Sequence, residues 1–143
     1  MRRSFIAVTI ITLSLIIAFS CENGSTFGID CNECIIGENS PDSADLVIYF
    51  TINSENPFVP IKLYRGNVED NQVDWVDTVY EKEYHLYSEV GQTYSVEAKY
   101  KSGTKDIIAV DGDRMNASLV TDVCDNNCWI IKGGILDVRL KDQ

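Results

Sequence analysis

Two cysteine pairs carry the sharpest chemistry in the chain: Cys31-Asn32-Glu33-Cys34 and Cys124-Asp125-Asn126-Asn127-Cys128. Four thiolates at such spacings can hold zinc tetrahedrally. The same four sulfurs can instead close two disulfides. A C-x-x-C pair can also cycle electrons, but only within a thioredoxin-like βαβ setting, and no such pattern surrounds Cys31. The compartment decides between zinc and disulfide, so the start of the chain decides it.

Other residues invite weaker readings. Asp111, Asp113 and Asn116 fall within Val-Asp-Gly-Asp-Arg-Met-Asn. Calcium favours clustered loop oxygens but takes about six to eight of them. Three side chains are too few, so an acidic turn is expected, with these three as a weak calcium candidate. Glu69, Asp70, Asn71 and Asp74 read the same way. No metal and no cofactor is expected. His85 is the sole histidine, so any Ser-His-Asp or Cys-His catalysis would have to use it. It sits in Tyr-His-Leu-Tyr with no G-x-S-x-G elbow nearby, and an ordinary strand histidine is expected. A hydrolase would need a deep pocket bringing His85 to two carboxylates. Phe58, Trp75, Tyr80, Tyr84, Tyr87 and Trp129 could form an exposed patch for proteins or glycans. The expectation is that most are core, with Trp129 packed against a disulfide.

The address comes from residues 1–21. Arg2 and Arg3 precede an apolar run over residues 5–19, broken by Thr9, Thr12 and Ser14. A membrane-spanning helix needs ~20 apolar residues. This run is shorter and no stop-transfer charges follow, so residues 1–20 read as a secretory signal peptide. The tetrapeptide Ala18-Phe19-Ser20-Cys21 resembles a bacterial lipobox, of the loose form found in Bacteroidota lipoproteins. The resemblance implies cleavage before Cys21 and acylation of its thiol. At ~0.8 kcal/mol per buried CH₂, two or more acyl chains anchor a protein durably. Asp42-Ser43-Ala44 and Asp77-Thr78-Val79 resemble the O-glycosylation acceptor sites of that phylum, at Ser43 and Thr78.

Lipid on Cys21 leaves an even number of cysteines in an exported chain, which points to disulfides among Cys31, Cys34, Cys124 and Cys128. Three pairings are open. A bond from Cys31 or Cys34 to Cys124 or Cys128 closes a loop of ~90 residues and stabilises by about 4–5 kcal/mol. At least one such crossing bond is expected.

The chain has 12 basic and 22 acidic residues. Losing residues 1–20 removes two arginines and no acids. The remaining surplus of negative charge excludes nucleic-acid binding, which needs basic surface to displace phosphate counterions. Residues 21–44, rich in Asn, Gly and Ser, are expected to form a lipidated tether carrying the first cysteine pair. Residues 45–143 are expected to form the domain.

Within that domain, apolar residues recur at every second position. Leu46, Ile48, Phe50 and Ile52 share one face; so do Ile61 and Leu63; so do Tyr94, Val96, Ala98 and Tyr100. This is the period of half-buried strands. Turns are expected at residues 53–60, 67–72, 81–83, 89–92 and 102–103. "DGDRMNAS" reads as a loop, and "CWIIKGGILDVRLK" as a final hairpin about Gly133-Gly134. The fold class expected is all-β: a single antiparallel sandwich of about seven strands with little helix.

The run "VPIKLYRG", a strand ending "DTV", and "GQTYSVEAKY" resemble the spine of transthyretin-like and immunoglobulin-like modules. Neither family supplies catalytic residues to this chain. The sequence therefore leads to a non-enzymatic envelope lipoprotein. Cys21 would moor it to the outer membrane, and a β-sandwich would bind or scaffold a protein partner. The alternative is a lipid-anchored inhibitor or immunity protein, whose acidity would steer it to a basic enzyme or toxin.

Overall fold

The computed structural model describes residues 30–121, 124 and 126–141. Cys21, the expected signal peptide and residues 22–29 of the expected tether lie outside them. Ten strands follow one another: β1 (Ile35–Ile36), β2 (Ser43–Tyr49), β3 (Val59–Arg65), β4 (Val73–Val79), β5 (Glu83–Glu89), β6 (Thr93–Ser102), β7 (Lys105–Arg114), β8 (Asn116–Val120), β9 (Cys128–Lys132) and β10 (Ile135–Asp137). A 3-10 turn at Val68–Asp70 is the one helical element among the described residues.

The period-two patterns bury the faces they predict. β3, β4, β6 and β7 form a sheet in the order β4-β3-β6-β7, and β2 lies between β10 and β5 in a second. Leu46 and Ile48 of the second sheet, with Phe50 just beyond β2, meet Ile61, Leu63, Tyr94, Val96, Ala98 and Tyr100 of the first in one core. Leu136 and Val138 complete it from the C-terminal end. The molecule is an all-β sandwich, with ten strands rather than seven.

Buried polar groups in this core are paired, as they must be to avoid a penalty of about 1–3 kcal/mol each. The buried Tyr94 hydroxyl accepts from Glu89 N–H (3.0 Å) and donates to Glu89 C=O (3.2 Å). Tyr100 accepts from Thr51 N–H at 3.2 Å. Asn56 clamps the β2–β3 turn to the end of β6. Its Nδ2 donates to Lys101 C=O (3.0 Å) and its Oδ1 accepts from Lys101 N–H (2.7 Å). Burial pushes both tyrosine hydroxyls above their ordinary ionisation range.

Three expectations are corrected. "DGDRMNAS" is strand, not loop: β7 continues to Arg114, buried Met115 makes the bend, and β8 begins at Asn116. "CWIIKGGILDVRLK" is not a hairpin. β9 pairs with β8, while β10 crosses to the other sheet and runs parallel to β2, Leu136 opposite Ile48. The sandwich is therefore not wholly antiparallel. The glycines cause this: Gly133 and Gly134 both hold left-handed φ values, 76° and 78°, and redirect the chain instead of reversing it.

The folded body also starts ahead of residue 45. β1 pairs antiparallel with β9, Ile36 opposite Cys128. Thus β1, β9 and β8 make a small third sheet, an arm that draws the first cysteine pair into the fold.

Candidate functional site

The arm brings the four cysteines together. Cys31 bonds to Cys124 and Cys34 to Cys128, both bonds crossing the length of the chain. Of the three open pairings, the structure selects this one. Cys128 is buried, and the sulfurs border a cleft of ≈ 240 Å³ with Asn32, Ile36 and Asn126. Strand alternation turns Trp129 to the face opposite Cys128, where it stands across from Ile35 and Leu119. Its indole Nε1 is buried with no hydrogen-bond partner.

Asp111 and Asp113 serve the backbone. Asp111 Oδ2 accepts from Asp137 N–H at 2.7 Å, and Asp113 Oδ2 accepts from Gly134 N–H at 3.0 Å. Their other oxygens accept from the next N–H groups along β7, of Gly112 and Arg114. Two carboxylates thus bridge the seam between β7 and β10, where the two sheets come edge to edge. Asn116 instead accepts from Arg114 Nε at 3.1 Å. Glu69, Asp70, Asn71 and Asp74 are spread along the β3–β4 connection. Asp70 caps the 3-10 turn by accepting from Asn67 N–H, and Asp74 pairs with Arg65 at 3.6 Å.

Beyond the bridging carboxylates, β7 has a bare edge. Gly112 and Arg114 point their N–H groups off this edge. By alternation the main-chain groups of Asp106, Ile108 and Val110 point the same way, and β7 ends its sheet with no strand beyond it among the described residues. Ile108 and Val110 are 58% and 54% exposed on the outer face. A cleft of ≈ 600 Å³ opens beside this edge, walled by Ile107, Ala109 and the C-terminal residues 137–141. From sequence alone, "KDIIAV" after the Ser102-Gly103 turn reads as an ordinary returning strand, and the edge goes unseen. The signal was the unbroken Ile107-Ile108-Ala109-Val110, which is apolar on both faces where a half-buried strand alternates.

The aromatic residues correct a further expectation. Trp75, Phe58, Tyr80 and Tyr87 are half to three-quarters exposed, not core. Phe58 and Tyr80 lean on each other with ring centres 6.1 Å apart, while Tyr84 is half-buried and donates to Asp77 at 3.0 Å. They lie on β4, β5 and the adjoining turns. His85 stands on the outer face of β5, its Nε2 3.0 Å from a Glu83 carboxylate oxygen. Ser43 opens β2 and Thr78 lies within β4 opposite Pro60.

The charged pairs lie at the surface. The Arg139 guanidinium grips Asp137 with two hydrogen bonds, 2.7 and 2.6 Å, and holds its carboxyl down at about 2. Lys101 and Lys99 lower Asp106, and the Thr78 N–H followed by the Tyr84 hydroxyl lowers Asp77. A carboxyl depressed in the folded state stabilises it above the unfolded value and loses that contribution as pH falls through the folded one. The fold should therefore weaken between the ordinary 3.8 and about 2. Melting temperature followed down this range should decline, and Asp137→Asn should flatten part of the decline. A melting point unchanged across the window would contradict these pairings.

No protein-family model, curated protein or solved structure matches the chain.

Proposed function

We propose that this is a non-enzymatic cell-envelope lipoprotein, tethered through Cys21 to the outer membrane, which holds a protein partner on its sandwich by strand addition to β7. One observation carries the reading: the bare β7 edge with exposed Ile108 and Val110 beside it. An edge strand presents a row of free N–H and C=O groups that templates another strand. Main-chain bonds then give affinity, and flanking side chains give choice of partner. The tether is argued from the signal peptide and lipobox, and the acidic surplus keeps the body off anionic lipid.

The test uses three changes in the full chain. A photo-crosslinking amino acid at Ile108 should trap an envelope protein in intact cells. Val110→Pro should abolish that product, because proline removes an edge N–H that makes no ladder bond. Cys21→Ala should free the protein from the membrane fraction. Crosslinks that persist in Val110→Pro, with its fold intact by circular dichroism, would defeat the edge as the docking element. Trapping a single basic enzyme or toxin, and loss of that enzyme's inhibition in Val110→Pro, would assign the inhibitor role instead.

A further inference from the structure

Two disulfides in one chain need not touch. Here they do. The Sγ atom of Cys34 lies 3.9 Å from that of Cys124, although neither is bonded to the other. The sulfurs of Cys34, Cys124 and Cys128 all fall within 4.8 Å of one another, and Cys31 is bonded to one of them. In a zinc tetrathiolate with Zn–S bonds of about 2.3 Å, the sulfurs stand about 3.8 Å apart. The non-bonded distance in the arm is already the edge of that tetrahedron.

The chain supports the sulfurs from two short-spaced segments, as structural zinc sites do. A turn carries Cys31 and Cys34, and the start of β9 carries Cys128. The β1–β9 ladder brings these segments together through main-chain pairing, Ile35 opposite Trp129 and Ile36 opposite Cys128. Its hydrogen bonds contain no sulfur, but two residue pairs cannot hold the arm alone, so disulfides or a metal must close it. The cleft bordered by the four cysteines leaves room for the sulfurs to part.

We infer that the reduced chain binds one zinc ion through Cys31, Cys34, Cys124 and Cys128, so that the arm is closed by metal in its thiol form and by two disulfides in its oxidised form. The balance is simple. Two equivalents of a dithiol reductant deliver four electrons and four protons to the two S–S bonds and leave as two disulfides. The four thiols then release four protons as their sulfurs take the ion. Two equivalents of a disulfide oxidant reverse the change: they accept the four electrons, the S–S bonds re-form, and the ion is expelled because a disulfide sulfur no longer carries the thiolate charge that bound it.

The experiment uses the full chain in detergent, reduced by a phosphine, desalted without oxygen, and titrated with cobalt(II) as a spectroscopic stand-in for zinc. One equivalent should produce the near-ultraviolet thiolate-to-cobalt band and the intense visible bands of tetrahedral cobalt. One equivalent of zinc should erase both. Cys128→Ser should weaken binding by at least about 100-fold, the upper end of what losing a ligand's supporting partner costs. Cys21→Ala should leave it unchanged. Circular dichroism guards against binding by an unfolded chain: metal should hold or raise the strand signal of the reduced protein. The inference is overturned if the reduced chain takes up no stoichiometric cobalt, if the four-thiolate spectrum forms without strand structure, or if Cys128→Ser binds like the parent.

Discussion

Replacing all four arm cysteines with serine should lower stability by about 7 kcal/mol, whereas breaking either bridge alone should cost only about 2–3 kcal/mol. The asymmetry follows from how the two bonds cross. Cys31–Cys124 and Cys34–Cys128 span 93 and 94 residues. The first bond to form closes the long loop and removes about 4–5 kcal/mol of unfolded-chain entropy. The second then closes only a short circuit through residues 31–34 and 124–128, worth about 2–3 kcal/mol. Either bond can be the first, so each single loss looks mild. Little else holds the N-terminal segment in place. β1 is two residues long, with Ile35 half-exposed and Ile36 largely so, and its apolar contact cannot fasten it. A total of about 7 kcal/mol matches the whole stability of many domains. The quadruple variant should therefore sit near its unfolding midpoint without denaturant. Guanidinium unfolding of the parent, the two paired variants (Cys31→Ser with Cys124→Ser, and Cys34→Ser with Cys128→Ser) and the quadruple variant measures this. Single-bridge losses that sum to the quadruple variant's loss would show that the bonds do not share one loop.

The elements legible in the sequence were those whose pattern and environment agree. β2, β3 and β6 alternate cleanly because each has one face in the core, and their buried residues could be named in advance. Disulfides were legible as a class, through the even number of cysteines left once Cys21 is set aside and the expected export of the chain, but not as a pairing, because spacing alone leaves three choices open. The misreadings have a common cause. Asp111, Gly112 and Asp113 look like a loop because these residues have poor strand propensity. They form strand because each aspartate satisfies an N–H beside it and another across the seam. The aromatic residues of β4 and β5 look like core by composition, yet both strands end their sheets, where half a side chain stays in solvent. The β7 edge could not be told from a central strand, since a strand's neighbours are a property of the whole sheet.

The glycine pair at the end of β9 shows how much fold rests on two residues without side chains, and it sets the second large effect. Gly133→Ala should destabilise the chain by about 3–5 kcal/mol, combining left-handed backbone strain with overpacking. A Cβ there would lie 2.2 Å from the Arg114 carbonyl oxygen and 2.9 Å from Asp113 Oδ2. Neither can retreat freely: Arg114 ends β7, and the Asp113 carboxylate holds Gly134 N–H across the seam. Gly134→Ala should cost less. Its Cβ would meet Met115 Sδ at 2.9 Å, the end of a flexible side chain that can swing. Gly103→Ala is the control, because its φ is also left-handed (59°) but nothing lies within 4 Å of the added carbon. It should cost about 1–2 kcal/mol, the backbone term alone. The three variants then separate conformation from contact by urea unfolding in a single host, and their order should be Gly133 above Gly134 above Gly103. If Gly133→Ala proves no worse than Gly103→Ala, β10 does not leave β9 at this corner. The parallel pairing with β2, the carboxylate bridges of the seam and the bare edge of β7 would all fall with it.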